Sequence, residues 1–169
     1  MNREIKFRGK GIEEYDKDKW YYGSYFIYNA INYFCLDDGS RTKEINEKIK
    51  NNIKHKIIFE VQGDWNMENH IQLADVKPET VGQYTGIDDK NGKEIYEGDI
   101  VLLDCYYYEE PAFDGEFKVI YDDINGMWLL VDLENKDRGV AFGKIRSYYK
   151  AEIEVIGNIY DNPELLGGE

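Results

Sequence analysis

Few residues in this chain have the types and spacings of a reactive centre. The two histidines, His55 and His70, lie in neither an HExxH nor an HxxxH frame, so no helix face presents a histidine pair to a metal. The bland reading is a surface histidine inside the basic triplet Lys54-His55-Lys56 and a loop histidine at 70. Cys35 sits in the apolar run 31–36, and Cys105 follows Ile100-Val101-Leu102-Leu103-Asp104. Both read as buried strand residues, because a free cysteine packs as a small hydrophobe. Two cysteines make neither a zinc set nor a disulfide framework, and a reducing cytoplasm with free thiols is the expected setting. Ser24, Ser40 and Ser147 lie in no GxSxG elbow, and Gly9-Lys10-Gly11 is neither a dinucleotide fingerprint nor a phosphate loop.

Carboxylates are plentiful, so an acidic pair means little by itself. Asp88-Asp89-Lys90-Asn91-Gly92 approaches a calcium loop until the register is set. With Gly92 at the sixth position, Ile87 falls at the first and Gly98 at the twelfth, where ligands are required. Asp122-Asp123-Ile124-Asn125-Gly126 fails in the same way, with Tyr121 at its first position. Both strings are turn chemistry. The expectation is a protein with no catalytic residue, no metal site and no cofactor.

The most unusual local string is Tyr106-Tyr107-Tyr108-Glu109-Glu110-Pro111. Successive strand residues face opposite ways, so three adjacent tyrosines cannot share one core and at least one is exposed. A tyrosine beside carboxylates offers apolar area, a hydroxyl and negative potential to a partner. Tyr106, Tyr107, Tyr108, Glu109 and Glu110 are therefore the candidate contact surface. The competing reading is a loop packed on its own sheet.

The elements that must position these residues are mostly strands. Ile5 and Phe7 alternate with Lys6 and Arg8; residues 20–28 are aromatic and β-branched; residues 31–36 continue the sheet. Residues 42–53 change period, with Ile45, Ile49 and Ile53 four apart and Glu44 placed to meet Lys48, which predicts one short helix. Residues 57–61 return to strand, and 63–79 read as polar and irregular. Further strands are expected at 81–84, 100–103, 117–121, 127–132, 138–142 and 153–160, separated by Asn91-Gly92, Asp114-Gly115, Asn125-Gly126, Asn135 and Gly143. The tail after Leu103 is expected to leave the wall of the sheet. The fold class is thus mainly β, α+β at most. A small SH3-like β-barrel is expected in residues 79–169, and an N-terminal hairpin and sheet region with the one helix in residues 1–78.

Composition bounds the rest. The 169 residues hold 15 Tyr, 7 Phe and 3 Trp, more aromatic than a disordered chain, and no run spans a bilayer. The opening residues lack a signal peptide's apolar region. Residues 1–78 carry 13 basic and 13 acidic side chains; residues 79–169 carry 8 basic and 21 acidic, so the whole net charge of −13 sits in the second half. That half cannot assemble a basic stripe for nucleic acid. Acidity speaks first to solubility, and second to a basic partner.

Three segments resemble the YopX family of phage and prophage proteins. The first is Ile5-Lys6-Phe7-Arg8-Gly9-Lys10 followed by Trp20-Tyr21-Tyr22-Gly23. The second is Thr80-Val81-Gly82-Gln83-Tyr84-Thr85-Gly86-Ile87, running on through Asp89-Lys90-Asn91-Gly92-Lys93-Glu94-Ile95-Tyr96-Glu97-Gly98-Asp99-Ile100-Val101. The third is Glu154-Val155-Ile156-Gly157-Asn158-Ile159-Tyr160-Asp161-Asn162-Pro163-Glu164-Leu165-Leu166. The resemblance implies a mainly β fold with an SH3-like part, an origin in phages and prophages of Gram-positive bacteria, and no established catalytic residues. Residues 29–75 and 104–150 resemble nothing further.

These readings together predict a non-enzymatic accessory protein in the host cytoplasm. It would bind a host or phage protein, or a second copy of itself, and neither nucleic acid nor membrane. An acidic inhibitor of a nucleic-acid-handling protein is its sharper form. The alternative is a small-molecule, nucleotide-binding protein that stacks its ligand on Trp20, Tyr21, Tyr22, Tyr25 and Tyr28, although no phosphate cradle accompanies them.

Overall fold

The computed structural model describes residues 4–29, 43–65, 68–107, 110–148 and 150–166. The expected strand at 31–36, with Cys35, lies outside them. The chain divides into two compact units, one of residues 6–81 and one of residues 1–5 with 82–169.

The first unit is an antiparallel meander of β1 (Phe7–Lys10), β2 (Trp20–Asn29), β3 (Ile53–Val61) and β4 (His70–Asp75), lying side by side in that order. Alternation along β2 sends Tyr21 and Tyr25 to the inner face with Ile57, and Tyr22, Phe26 and Tyr28 to the outer one. Tyr21, Ile57, Ala74 and Val76 form the buried core, backed by Phe7, Tyr25, Phe59 and Val81. Gly23 is required by proximity: a Cβ there would lie 2.1 Å from the Ile58 carbonyl oxygen. The helix α1 (Lys43–Asn51) forms as its spacing predicts, with Lys48 Nζ 3.3 Å from Glu44. Asn52 ends it by donating to the Lys48 carbonyl, and Ile53 already belongs to β3. β4 lies inside the stretch expected to be irregular. Its apolar residues are few and partly solvent-facing, so period alone did not mark it.

The second unit holds the hairpin β5 (Gly82–Asp88) and β6 (Glu94–Tyr96), then β7 (Asp99–Tyr107), β8 (Glu110–Asp122), β9 (Met127–Asp132), β10 (Gly139–Ala141), α2 (Phe142–Tyr148) and β11 (Lys150–Asn158). The last five strands make one antiparallel sheet in the order β10-β9-β8-β7-β11. Val101, Leu103, Cys105, Phe117, Val119 and Leu130 are buried on its inner face with Ile95.

The fold is mainly β, but the expected barrel is a correction: neither sheet closes. Among the described residues no ladder joins the outer strands β10 and β11. The chain between them folds instead as α2, which packs on β9, β10 and β11 and inserts Phe142 and Ile145 into the core. A helix over the apolar face does what closure would have done for burial, without pairing the edges.

Candidate binding surface on the five-stranded sheet

Strand β7 does not end at Leu103 with a departing tail. It runs to Tyr107 and returns as β8, with Tyr107 opposite Glu110. The reason is alternation: Val101, Leu103 and Cys105 are all buried, so the apolar pattern continues through the Asp104 that seemed to end it. The opposite set, Leu102, Asp104 and Tyr106, is exposed.

Two neighbouring strands add to that outer face. In register, Asp104 is flanked by Asp114 of β8 on one side and Glu152 of β11 on the other. One step along, Leu102 stands between Glu116 and Glu154. Residues directly opposite in an antiparallel pair have Cβ atoms about 4.5–5.5 Å apart, and like charges so placed oppose each other. Three carboxylates in one row are therefore a local cost to folding. Lys90 Nζ relieves the neighbouring row, 2.6 Å from Glu154 Oε2. No ion pair to Asp104, Asp114 or Glu152 occurs among the described residues.

Tyr106, 40% exposed, lies beside this row. The charge of Asp104 and a hydrogen bond to it are the first causes that push the tyrosine hydroxyl above its usual range, with Asp114 and Glu152 adding. The hydroxyl therefore stays a proton donor to the carboxylate. A cleft of about 760 Å³ opens on the same face, where Leu102, Leu133 and Leu165 lie among Glu116, Glu134 and Glu164. Its one arginine is already paired: Arg138 Nη1 donates to Asp132 (3.3 Å), which lines the same cleft, Nη2 to the Ala112 carbonyl (3.3 Å), and the guanidinium lies over Phe113.

Of the five residues expected to form the surface, Tyr106 is exposed and set among carboxylates. Tyr107 and Glu110 pair through the backbone, and nothing is described of their side chains. Tyr108 and Glu109 lie outside the described residues. The carboxylates gathered around Tyr106 are Asp104, Asp114 and Glu152, which sequence reasoning passed over. The alternations Leu102-Asp104-Tyr106, Asp114-Glu116 and Glu152-Glu154 were the available signal; the pairing that aligns them was not visible.

The other candidates resolve into scaffold. Asp89 is a buried turn carboxylate that accepts from the backbone N–H of Asn91 (2.7 Å), Lys93 (2.9 Å) and Val155 (3.1 Å). Burial pushes its carboxyl up, but the three N–H donors outweigh that and hold it below the usual range. Asp122 caps its own turn through Ile124 and Asn125. Cys105 is buried and its thiol is pushed up by that burial, which suits a core residue and not a nucleophile. His55 is half-buried and hydrogen-bonded to the Tyr25 hydroxyl, not free on the surface; His70 opens β4 beside Gln72. Among the described residues no three His, Cys, Asp or Glu side chains gather as a metal set, and no helix is long and apolar enough to cross a membrane. The five aromatics proposed as a stacking platform separate: Tyr21 and Tyr25 face the core, Tyr22 and Tyr28 the other side. Trp20 carries Arg8 and Lys10 over its ring, at 4.7 and 5.6 Å.

Comparison with known proteins decides the kinship. Residues 6–167 match the family model described as YopX protein. The chain belongs to the YopX family. A crystal structure of protein EF1440 from Enterococcus faecalis is similar over 98% of this chain and 99% of its own, with 24% identity and a TM-score of 0.47. No curated protein matches. The YopX match spans both units, so the acidic sheet and the meander belong to one family unit of sequence.

Proposed function

We propose that this YopX protein is a non-enzymatic phage or prophage accessory protein of the host cytoplasm. It binds a basic host or phage protein through the outer face of the five-stranded sheet. The observation that carries this reading is the row Asp114, Asp104 and Glu152 with Tyr106 beside it. The row opposes folding in the free protein, and cations from a partner would remove that opposition. Tyr106 supplies apolar area at small entropic cost, as interface tyrosines do. The sharper form is an acidic inhibitor: a partner that handles nucleic acid already has a groove built for closely spaced negative charge.

The test is capture from a host lysate with the wild type and with Asp104→Asn, Asp114→Asn, Glu152→Gln together. The wild type should retain a basic protein at low salt and release it as salt rises. The triple variant should fold and fail to capture. Equal capture by both would overturn the assignment of the face.

A further inference from the structure

The chain contains the dipeptide Asn-Gly twice, at Asn91-Gly92 between β5 and β6 and at Asn125-Gly126 between β8 and β9, and all four residues are exposed. This dipeptide carries a reaction of its own, because glycine leaves its backbone nitrogen open to the neighbouring asparagine amide. By sequence the two sites are alike; their surroundings differ. The Asn125 side chain is held in place: its Nδ2 donates to Asp122 Oδ2 (2.6 Å), while Asp122 Oδ1 accepts from the backbone N–H of Ile124 and Asn125 (3.0 and 3.3 Å). Attack requires the side chain to turn its amide carbon onto the glycine nitrogen, and the bond to Asp122 opposes that turn. No hydrogen bond holds the Asn91 side chain among the described residues; only its backbone N–H is engaged, on Asp89 Oδ1. The two glycine nitrogens differ in the same sense. Gly126 N–H donates to the Asp122 carbonyl at 2.7 Å and Gly92 N–H to the Asp89 carbonyl at 3.0 Å. Around the Cβ position of Gly92 nothing lies within 4 Å, whereas Gly126 has the Tyr121 hydroxyl at 3.7 Å.

We propose that Asn91 is a site of spontaneous covalent modification, and that Asn125, in the same dipeptide, is protected by Asp122. The Gly92 backbone nitrogen attacks the Asn91 side-chain carbonyl carbon. A C–N bond forms, the bond from that carbon to the amide nitrogen breaks, and the amide nitrogen leaves as ammonia with the proton from Gly92. Water then opens the cyclic imide at either carbonyl, giving aspartate or, with the side-chain methylene left in the main chain, isoaspartate. Both products add one negative charge. Isoaspartate also lengthens the chain between two donors that share one oxygen: Asn91 N–H and Lys93 N–H both end on Asp89 Oδ1 (2.7 and 2.9 Å). The lengthened turn no longer delivers both. The same carboxylate accepts Val155 N–H (3.1 Å), and Lys90 N–H donates to the Ile153 carbonyl (2.8 Å), so the hairpin tip is tied to β11. Modification of Asn91 therefore loosens that tie.

The test ages the full chain in mildly alkaline buffer and maps it by peptide mass spectrometry, with chromatography separating aspartate from isoaspartate. The Asn91 peptide should convert several-fold faster than the Asn125 peptide, with isoaspartate among its products. In urea, where both turns are unfolded, the two rates should come together, because the reacting dipeptide is the same. Asp122→Ser keeps an oxygen for the backbone donors of its turn and loses the one that holds the Asn125 amide. It should bring Asn125 toward the rate of Asn91. In the aged isoaspartate fraction the Lys93 and Val155 amides should exchange faster than in fresh protein, and Asn91→Gln aged alongside should keep their protection. Equal rates in the folded protein, a difference that survives in urea, an Asn125 rate unmoved by Asp122→Ser, or unchanged exchange at Val155 would each overturn the proposal. Asp104, Asp114 and Glu152 are left in place throughout, so this result and the proposed capture can fail separately.

Discussion

The outer faces of the two sheets are built on opposite principles. The meander turns apolar and aromatic groups outward: Tyr22, Phe26, Tyr28, Ile71 and Leu73 are all exposed, and Phe26 stacks on Tyr28 at 5.6 Å. A cross-strand ion pair on it, Lys56 with Asp75, joins opposite charges at 2.6 Å. The five-stranded sheet turns like charges outward in register and keeps its apolar side chains inside. Burial follows the same division. The second unit has a broad core sealed by Phe142 and Ile145, and the first a small one around Ile57. A contact made by the first face would rest on apolar area, which salt does not weaken, and one made by the second on charge, which salt does weaken.

Several changes would break or sharpen that contrast. Phe117→Ala, in the large core, should destabilise by about 3–5 kcal/mol in urea unfolding. Amide exchange should accelerate in β7–β9 and not in β2–β3; acceleration in both would merge the units into one cooperative transition and erase the difference in cores. Asp89→Ala frees three backbone donors and should cost about 1–3 kcal/mol. Because the Asp89 carboxyl lies below its ordinary value in the folded state, its contribution is present above about pH 4 and is lost as pH falls toward the depressed value. Acid unfolding of Asp89→Asn should lack this component. Gly92 has φ +79° with nothing near its Cβ position, so Gly92→Val should lose about 1–2 kcal/mol from backbone strain alone, measured by thermal melting.

Each unit also buries one tyrosine hydroxyl on an aspartate, Tyr21 on Asp16 (2.8 Å) and Tyr84 on Asp88 (2.7 Å). Burial first, and then the aspartate, pushes both up to about 12. Ultraviolet titration should leave at least Tyr21 and Tyr84 un-ionised until about pH 12. The stability they contribute is complete below about pH 10 and disappears as pH rises through the folded value. Loss of one in Tyr21→Phe should leave the other in place. The smallest effect is the most diagnostic of the contrast. The triple carboxylate variant should gain about 0.2–1 kcal/mol at low salt from relieved cross-strand repulsion, and the gain should vanish at high salt. A loss of stability would mean the row is compensated within the protein.

Much of this was legible in the sequence where the pattern was local. The period change at Ile45, Ile49 and Ile53 marked α1, and Asn91-Gly92 and Asn125-Gly126 marked turns that their positive-φ glycines occupy. β4 was hidden because Ile71 and Leu73 alternate with His70 and Gln72 on an open edge, and no core enforces the pattern. α2 was hidden because Phe142 and Ile145 are too few to state a helical period. The candidate surface was half legible. Tyr106 stood out by its neighbours, but Asp104, Asp114 and Glu152 belong together only through strand register, and local spacing does not encode which strands pair.

The order of strands in the second sheet has a kinetic consequence. β7 to β10 follow one another as hairpins, each partner close in sequence, but β11 must return past all of them to pair with β7, Lys150 meeting Tyr106. Hairpins form fast, while a contact across so long a loop bears a larger closure entropy. β11 should then be the last strand to dock. Until it does, β7 has an open edge, and the row of Asp104 and Asp114 lacks Glu152. The third like charge joins Asp104 and Asp114 only in that step, when the rest of the sheet is already there to hold it.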